Sequence, residues 1–434
     1  MARISQRLDG ESEKELFGFF KAHVKFSLLH KSSVHGFSLS KIQEKCAMEG
    51  HIMLVVYNGR GIFMGAYSSK GLVESSCNQC DFYFRYYVTK LQKSLMNKVS
   101  CQANCMTFDD VFKIKEISDN KQNISVSFSK INCTIDELEV YRVEDLGPLL
   151  HSAWRELPWT TQKREELRDA IVSFKPPTDL VTQTRVLLVG PVGAGKSSFI
   201  SSVCSVLQGT VTCQTMAGMA GQSFTTKYRT YPVFDGKGTK RLPFILCDTM
   251  GLEGSSDEAG IHVDDIISVI NGHVPDMYEF NPKAPINYRS KCYRENPCLA
   301  DKVHCIVYVV EASKLSLISE VLLKKFKFIQ SNVNNKGIPQ LVMVTKIDEA
   351  CMEVRNDLTK VYQSSYIYEK VTELAKVLGV PLSAISLVKN YAVDFELNLN
   401  MDVLILTALQ QMLRAVDGCL DEMMQRSLTQ EGSS

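Results

Sequence analysis

The chain is poor in several features that would narrow its class at once. Its 434 residues hold two tryptophans, and the formal net charge is +1. A balance so close to neutral offers no field to collect a polyanion, so nucleic acid is not an expected partner. No apolar run approaches the roughly eighteen residues of a membrane-spanning helix, so no membrane span is expected. No Sec-type leader stands at the start, and Gly432-Ser433-Ser434 carries no lipidation signal. Fourteen cysteines without a leader read as reduced thiols of a cytoplasmic protein rather than as a disulfide framework. The sequons at Asn123 and Asn132 mean little in such a chain. What is present is ordinary for a globular protein, and the length favours two or three domains.

One stretch organises the rest. Gly190-Pro191-Val192-Gly193-Ala194-Gly195-Lys196-Ser197 spells G-x-x-x-x-G-K-S. The apolar run 186–189 precedes it, and a helical run over 198–206 follows. Strand, glycine loop and helix form the context in which this spelling binds phosphate. A triphosphate needs inward-pointing backbone N–H groups, and Gly190, Gly193 and Gly195 let the backbone come close. The helix N-terminus, with Ser198 in its first turn, adds partial positive charge. Lys196 is expected to neutralise the β and γ oxygens, and the Ser197 hydroxyl to take a place on Mg2+.

From residue 184 onward strands and helices alternate, the pattern of a parallel α/β sheet. Asp248-Thr249-Met250-Gly251 follows the apolar strand 242–247. There Asp248 would hold Mg2+ through water, and the Gly251 N–H would meet the γ-phosphate. Thr345-Lys346-Ile347-Asp348 follows the strand 341–344. A carboxylate at that place takes two hydrogen bonds from the N1–H and N2–H2 edge of guanine, a donor pair adenine lacks. Asp348 is therefore the expected specificity residue, with the Lys346 stem over the purine ring. These motifs occur in order, each after an apolar strand, and read together as a site for GTP or GDP.

Residues 209–227, rich in Thr and Gly, lie where a first switch loop would lie, with Thr225 or Thr226 completing the Mg2+ coordination. Residues 272–300 read as an inserted loop, and a closing helix is expected over 403–416. After a last short strand at 384–388, Asn390-Tyr391 resembles the Asn-containing variant of dynamin-like GTPases and makes Asn390 a base contact. Many small GTPases carry Gln directly after D-x-x-G to orient the attacking water. This chain has Leu252, then Glu253. Leucine cannot orient water, so hydrolysis is expected to be slow or partner-dependent, and no residue is assigned as catalytic. A non-hydrolysing nucleotide-binding or scaffold protein is the rival reading. An ATP-dependent kinase or ATPase is a second rival, which Asp348 opposes.

Residues 1–152 differ in texture. Short apolar or alternating segments at 52–57, 62–67, 82–88, 124–128 and 138–143 predict a mostly antiparallel β-sandwich, with helices at 8–24 and 40–50. Asn58-Gly59 is a hairpin signal between the first two segments. Ser27-Leu28-Leu29-His30-Lys31-Ser32-Ser33-Val34-His35-Gly36-Phe37, with Gly65-Ala66-Tyr67 downstream, resembles the start and core of a TLDc domain. That resemblance implies an interaction module without an established catalytic site, through which protein partners bind. Cys77, Cys80, Cys101 and Cys105 could be a four-thiolate zinc site, but the uneven spacing favours free thiols. His30 and His35 read as structural, and the aromatics of 82–87 as core. Residues 153–183 read as a helical connector ended by Pro176-Pro177.

Taken together, the chain is similar to the interferon-induced protein 44 family. Residues 27–37, 185–198, 242–252 and Asn390-Tyr391 carry the likeness. The resemblance implies a TLDc-like α+β sandwich over 1–152 followed by an α/β P-loop GTPase-like domain over 184–434. It also implies a cytoplasmic, interferon-inducible protein of the innate antiviral and antibacterial response. Self-association is a further expectation for a GTPase-like domain with an incomplete catalytic site.

Overall fold

The structure is a computed structural model. It describes residues 6–431 apart from 9, 21–22, 47–49, 60, 72–74, 77–80, 88–89, 97, 103–104, 110–111, 118–122, 129–130, 134, 179–180, 213–225, 237–239, 253–259 and 282. The chain divides into two compact units, Arg3–Pro148 and Leu149–Ser434.

The first unit carries α1 (Gly10–Phe17), β1 (Val24–Lys31), α2 (Ser32–His35), α3 (Leu39–Cys46), β2 (Ile52–Asn58), β3 (Gly61–Ser68), β4 (Ser75–Ser76) and β5 (Phe82–Tyr87). It continues with β6 (Lys90–Leu95), β7 (Lys98–Gln102), β8 (Cys105–Phe108), β9 (Phe112–Ile117), β10 (Asn123–Phe128), β11 (Ile131–Cys133) and β12 (Glu137–Asp145). These strands form two six-stranded sheets, in the orders β1-β12-β2-β3-β5-β6 and β11-β10-β9-β8-β7-β4. Neighbours run antiparallel throughout, including the β2–β3 hairpin that pairs Asn58 with Gly61.

The pleat of β2 sorts its residues between two cores. Leu54 and Val56 meet Val99, Met106, Ile114 and Val126 of the second sheet, with Leu39 and Ile42 of α3 closing the cluster. Met53, Val55 and Tyr57 face the other way, with Leu16 of α1 and the buried Phe82 and Phe84. A strand covered on both faces reads as an unbroken apolar run, which is how residues 52–57 look in sequence. The Phe82 and Phe84 rings are thus core. The His30 and His35 rings lie 5.2 Å apart, and His35 Nδ1 accepts from the Lys31 N–H at 3.0 Å. Cys77 and Cys80 of the possible zinc site lie outside the described residues. Cys105 is a free thiol.

In the second unit, α4 (Thr161–Val172) precedes β13 (Thr184–Val189), α5 (Lys196–Gln208), β14 (Arg229–Phe234), β15 (Arg241–Asp248) and α6 (Val263–Ile270). Then come β16 (Cys305–Glu311), α7 (Glu320–Asn334), β17 (Gln340–Thr345), α8 (Ile347–Ala350), α9 (Met352–Asn356), α10 (Ser365–Leu378), β18 (Ile385–Val388) and α11 (Leu399–Glu431). The sheet runs β14-β15-β13-β16-β17-β18. It is parallel except at β14, which pairs antiparallel with β15. Only six residues separate β14 from β15, and a parallel pair needs a long crossover. From β13 the chain builds first to one side and then to the other. The loop after β13 therefore sits at the switch point of the strand order, where open α/β sheets bind ligands.

Phe199 and Val203 of α5, Leu409 and Met412 of α11, and Leu167 and Ile171 of α4 share a core with the β13 and β15 side chains. Residues read in sequence as a connector thus contribute α4 to this core, capped at its start by Thr160, whose hydroxyl accepts from the Lys163 N–H. Helix α7 starts at Glu320, where Ser319 caps it by accepting from the Leu322 N–H at 3.2 Å. Helix α11 is longer than the 403–416 pattern. Among the described residues it alone is long and apolar enough to cross a membrane by length and composition, and 61% of that apolar window is buried within the protein.

Candidate functional site

The loop between β13 and α5 is shaped by its glycines. Gly193 and Gly195 have φ of +76° and +90°, conformations that an L side chain adopts rarely. A Cβ on Gly190 would lie 2.1 Å from the Val309 carbonyl oxygen, so that position admits only glycine. Helix α5 starts directly behind the loop, so its first N–H groups face the loop's hollow. Lys196 is buried, and its ammonium donates to the carbonyls of Gly190 and Pro191 at 2.9 and 3.1 Å. The cation is thereby held within the loop. Ser198 stands in the first turn, where its carbonyl accepts from the Ser202 hydroxyl at 2.7 Å.

The second motif touches the first. The Ser197 hydroxyl donates to Asp248 Oδ2 at 2.5 Å. Asp248 is fully buried at the end of β15, and the Thr249 hydroxyl fastens the next residue to the Leu188 carbonyl at 3.1 Å. Two oxygen donors this close suit a hard cation, so Ser197 and Asp248 are the residues that would hold Mg2+. Gly251 packs on the loop: a Cβ there would come within 2.4 Å of Val192 Cγ2. Leu252 N–H donates to the Gly190 carbonyl at 3.1 Å, and the Leu252 side chain is 1% exposed. Leu252 is thus a buried prop under the loop, bridged to Pro191 on one side and to Gly260 on the other. Glu253 lies outside the described residues.

The third motif holds the loop from the other side. Thr345, buried at the end of β17, donates from its hydroxyl to the Ala194 carbonyl at 2.6 Å. Asn390, two residues past β18, donates from Nδ2 to the Gly195 carbonyl at 3.1 Å. Its Oδ1 is buried without a hydrogen-bond partner among the described residues, an acceptor that a ligand N–H would satisfy. Tyr391 anchors this turn, its N–H donating to Ser202 Oγ at 2.9 Å and its hydroxyl to Asp402 Oδ1 at 2.6 Å. Lys346 adopts φ of +54° and points its ammonium at Glu311 Oε2, 3.0 Å away. Asp348 lies two residues on, in the first turn of α8, half-buried, with Lys389 Nζ 3.7 Å from its Oδ2. The loop, Ser197, Asp248, Gly251, Thr345 and Asn390 thus form one connected group. Lys346 and Asp348 stand beside it on the turn that follows Thr345.

Sequence reasoning missed Glu311. Its one signal is a lone acid closing the buried run Cys305-Ile306-Val307-Tyr308-Val309-Val310. Burial pushes its carboxyl up, yet the Lys346 and Lys314 ammoniums and the Ser313 hydroxyl outweigh that and bring it to about 2.

The first switch is the least complete part. Thr225 lies outside the described residues. Thr226 is exposed, and its carbonyl accepts from the Phe280 N–H at 3.0 Å. Its described contact is with the 272–300 insert, and none joins it to Ser197 or Asp248. The insert runs alongside the exit of this segment: Tyr228 N–H donates to Tyr278 O, Met277 N–H to Tyr228 O, and Thr230 N–H to Asp276 Oδ1.

A phosphate loop at the switch point of a mostly parallel sheet, joined by hydrogen bonds to D-x-x-G and T-K-x-D turns, makes the second unit a P-loop GTPase-like domain. A family model described as "50S ribosome-binding GTPase" matches residues 185–346 of it. Over most of its length the chain is 35% identical to Interferon-induced protein 44 of Pan troglodytes, in an alignment of 433 residues that covers 97% of this chain and 95% of that one. It is also 35% identical to Interferon-induced protein 44-like of Homo sapiens, covering 97% of this chain and 96% of that one. The chain belongs to the interferon-induced protein 44 family. Among solved structures it is similar to Toc33 from Arabidopsis thaliana in complex with GDP and Mg2+, with a TM-score of 0.35 and 12% identity over 59% of this chain and 93% of that one.

Proposed function

We propose that this protein binds GTP and GDP with Mg2+ and hydrolyses GTP slowly, or only with a completing partner. The observation that carries the reading is the convergence of Thr345 and Asn390 on the Ala194 and Gly195 carbonyls. The Thr345 bond ties the strand end that leads to Asp348 to the phosphate loop, and the Asn390 bond ties the turn after β18 to it, which supports reading a base-reading carboxylate and a phosphate cradle as one site. In it Gly190, Gly193, Gly195, Lys196 and Ser198 would surround phosphate. Ser197 and Asp248 would hold Mg2+, which supplies charge neutralisation at the β and γ oxygens. Asp348 and Asn390 would read the base, and Thr225 or Thr226 would come from the first switch. The burial of Leu252 supports the slow-turnover half and also favours the rival, a nucleotide-binding scaffold that does not hydrolyse.

The family's name supports an interferon-induced protein, and a cytoplasmic role in innate antiviral defence belongs to the same proposal. The double-sheet architecture of the first unit agrees with a TLDc-like interaction module for protein partners, with the GTPase-like domain as the place for any self-association. Titration of the purified protein with GTP, GDP and ATP in the presence of Mg2+ tests the reading. Guanine nucleotides are expected to bind in preference to ATP, and equal affinity for ATP would remove Asp348 from its assigned place.

A further inference from the structure

We propose that Glu311 is a positioning residue of the base site, holding the Lys346 ammonium so that the Lys346 stem lies across the ring of a bound purine. The proposal rests on the guanine-nucleotide reading and adds a residue that lies in none of the site's sequence motifs.

Glu311 is the last residue of β16, and its backbone pairs in register with Thr345, the last residue of β17. The register brings the carboxylate beside the turn that carries Lys346. One carboxylate oxygen lies 3.0 Å from Lys346 Nζ and 2.9 Å from Lys314 Nζ, and the other accepts from Ser313 Oγ at 2.5 Å. A carboxylate with 4% of its side chain exposed is costly unless it is paired and hydrogen-bonded, and this one is both. The low pKa of Glu311 keeps it charged at neutral pH.

Lys346 is fixed at its other end as well. Its φ of +54° lies in the left-handed region, uncommon for a lysine. Such strain persists where the surroundings over-determine the conformation, and it clusters at binding sites. A solvated lysine needs neither a strained Cα nor an anchored tip. A lysine whose methylenes must keep one plane needs both, because a long free side chain would have to be ordered when ligand binds. Here that ordering cost is met on folding. Lys314, 56% exposed, adds charge to the cluster from the rim. The plainer alternative is that Glu311 only pins the end of β16.

A thermodynamic cycle separates the two. GDP affinity is measured for the wild type, Glu311→Gln, Lys346→Met and the double variant. Glu311→Gln is expected to weaken GDP about tenfold, as loss of one charge-assisted contact would. The double variant is expected to match Lys346→Met, since the carboxylate acts through that ammonium alone. Inorganic tripolyphosphate, which has no base, is expected to bind Glu311→Gln and the wild type alike. Additive losses overturn the proposal, as does a loss equal for GDP and tripolyphosphate. If Glu311→Gln does not fold, Glu311→Asp keeps the charge on a shorter stem and should show the same base-dependent loss in smaller degree. Wild-type GDP affinity in Glu311→Asp would overturn the proposal. A wild-type protein that binds no GDP sinks both this proposal and the reading beneath it. GDP binding that Glu311→Gln leaves unchanged sinks this proposal alone.

Discussion

The Asn390 side chain donates to the Gly195 carbonyl at 3.1 Å, and a Cβ on Gly195 would lie 2.9 Å from that same Asn390 nitrogen. The loop and the base turn therefore meet at a residue with no room for a side chain. Gly195→Ala would have to move Asn390 and also hold φ near +90°, which alanine disfavours by about 1–2 kcal/mol. The expected result is GDP affinity lower by at least about tenfold. Titration beside chemical denaturation checks both effects, and a Gly195→Ala protein with wild-type affinity and stability would show that the two turns are not coupled.

Lys196→Ala removes the ammonium that spans the Gly190 and Pro191 carbonyls. Charge-assisted contacts to phosphate are worth roughly 1.5–3 kcal/mol, so GTP should bind at least about tenfold more weakly. Isothermal titration with a folded variant decides it, since unchanged affinity would place the triphosphate elsewhere.

Base choice rests on Asp348. Asp348→Asn puts an N–H2 where guanine presents a donor, so preference should move from GTP toward xanthosine triphosphate. Competition between the two nucleotides for the variant and the wild type reads this directly. A variant that still prefers GTP would mean that another residue reads the purine edge.

The parts of the site legible in sequence are those where chemistry dictates the residue type. Glycine is strongly favoured at the φ of +76° of residue 193, and a carboxylate accepts from two guanine donors at once, so residues 190–197 and Asp348 could be read from their spelling. Glu311 could not. Its role comes from the register of β16 against β17, and a lone acid after an apolar run looks like the end of any strand. Leu252 was legible as the absence of glutamine, but its burial under the loop depends on a backbone bond to Gly190 that spacing does not encode. The antiparallel direction of β14 was missed because alternation of strands and helices says nothing of the direction of an edge strand. The helix of α4 was legible, but it looked like part of a connector rather than of the core because charged residues outnumber the few that pack, Leu167 and Ile171 among them.

Acid should weaken the second unit through His304. This residue is fully buried before β16, and its Nδ1 accepts from the Arg185 N–H at 3.0 Å. Burial, with the Arg185 charge nearby, lowers it from the ordinary 6.5 to about 4, opposed by the Leu299 carbonyl. The unfolded chain takes up a proton near pH 6.5 while the folded one resists until about pH 4. Stability is therefore complete above the unfolded value and is lost as pH falls through that window, by about 3 kcal/mol in all. His304→Asn keeps an acceptor for Arg185 and does not titrate. Urea midpoints measured across the window should fall more steeply for the wild type, and parallel curves would assign the acid sensitivity to other groups.

Turnover is the remaining prediction, and it follows from where Leu252 sits. Hydrolysis needs a water in line with the γ-phosphate, oriented by a polar group, and often an arginine from a partner. Leu252 is 1% exposed, its N–H is taken by the Gly190 carbonyl, and Gly251 before it is packed against Val192. A residue so placed cannot reach water from this position whatever its side chain. Leu252→Gln should therefore not accelerate hydrolysis. It should destabilise the domain by about 1–3 kcal/mol, because it buries an amide without partners. The isolated protein is expected to turn over GTP at the rate of unassisted GTPases, about 10⁻⁴–10⁻² s⁻¹. If a second copy completes the site, the rate per molecule should rise with protein concentration. If an unrelated partner completes it, the rate should stay slow at every concentration. Single-turnover assays over a dilution series distinguish these, with sedimentation to report the oligomer. A demonstrably monomeric sample turning over GTP at about 1 s⁻¹ or faster, well beyond the unassisted range, would place a catalytic group elsewhere in the chain. Glu253 would be the first residue to replace.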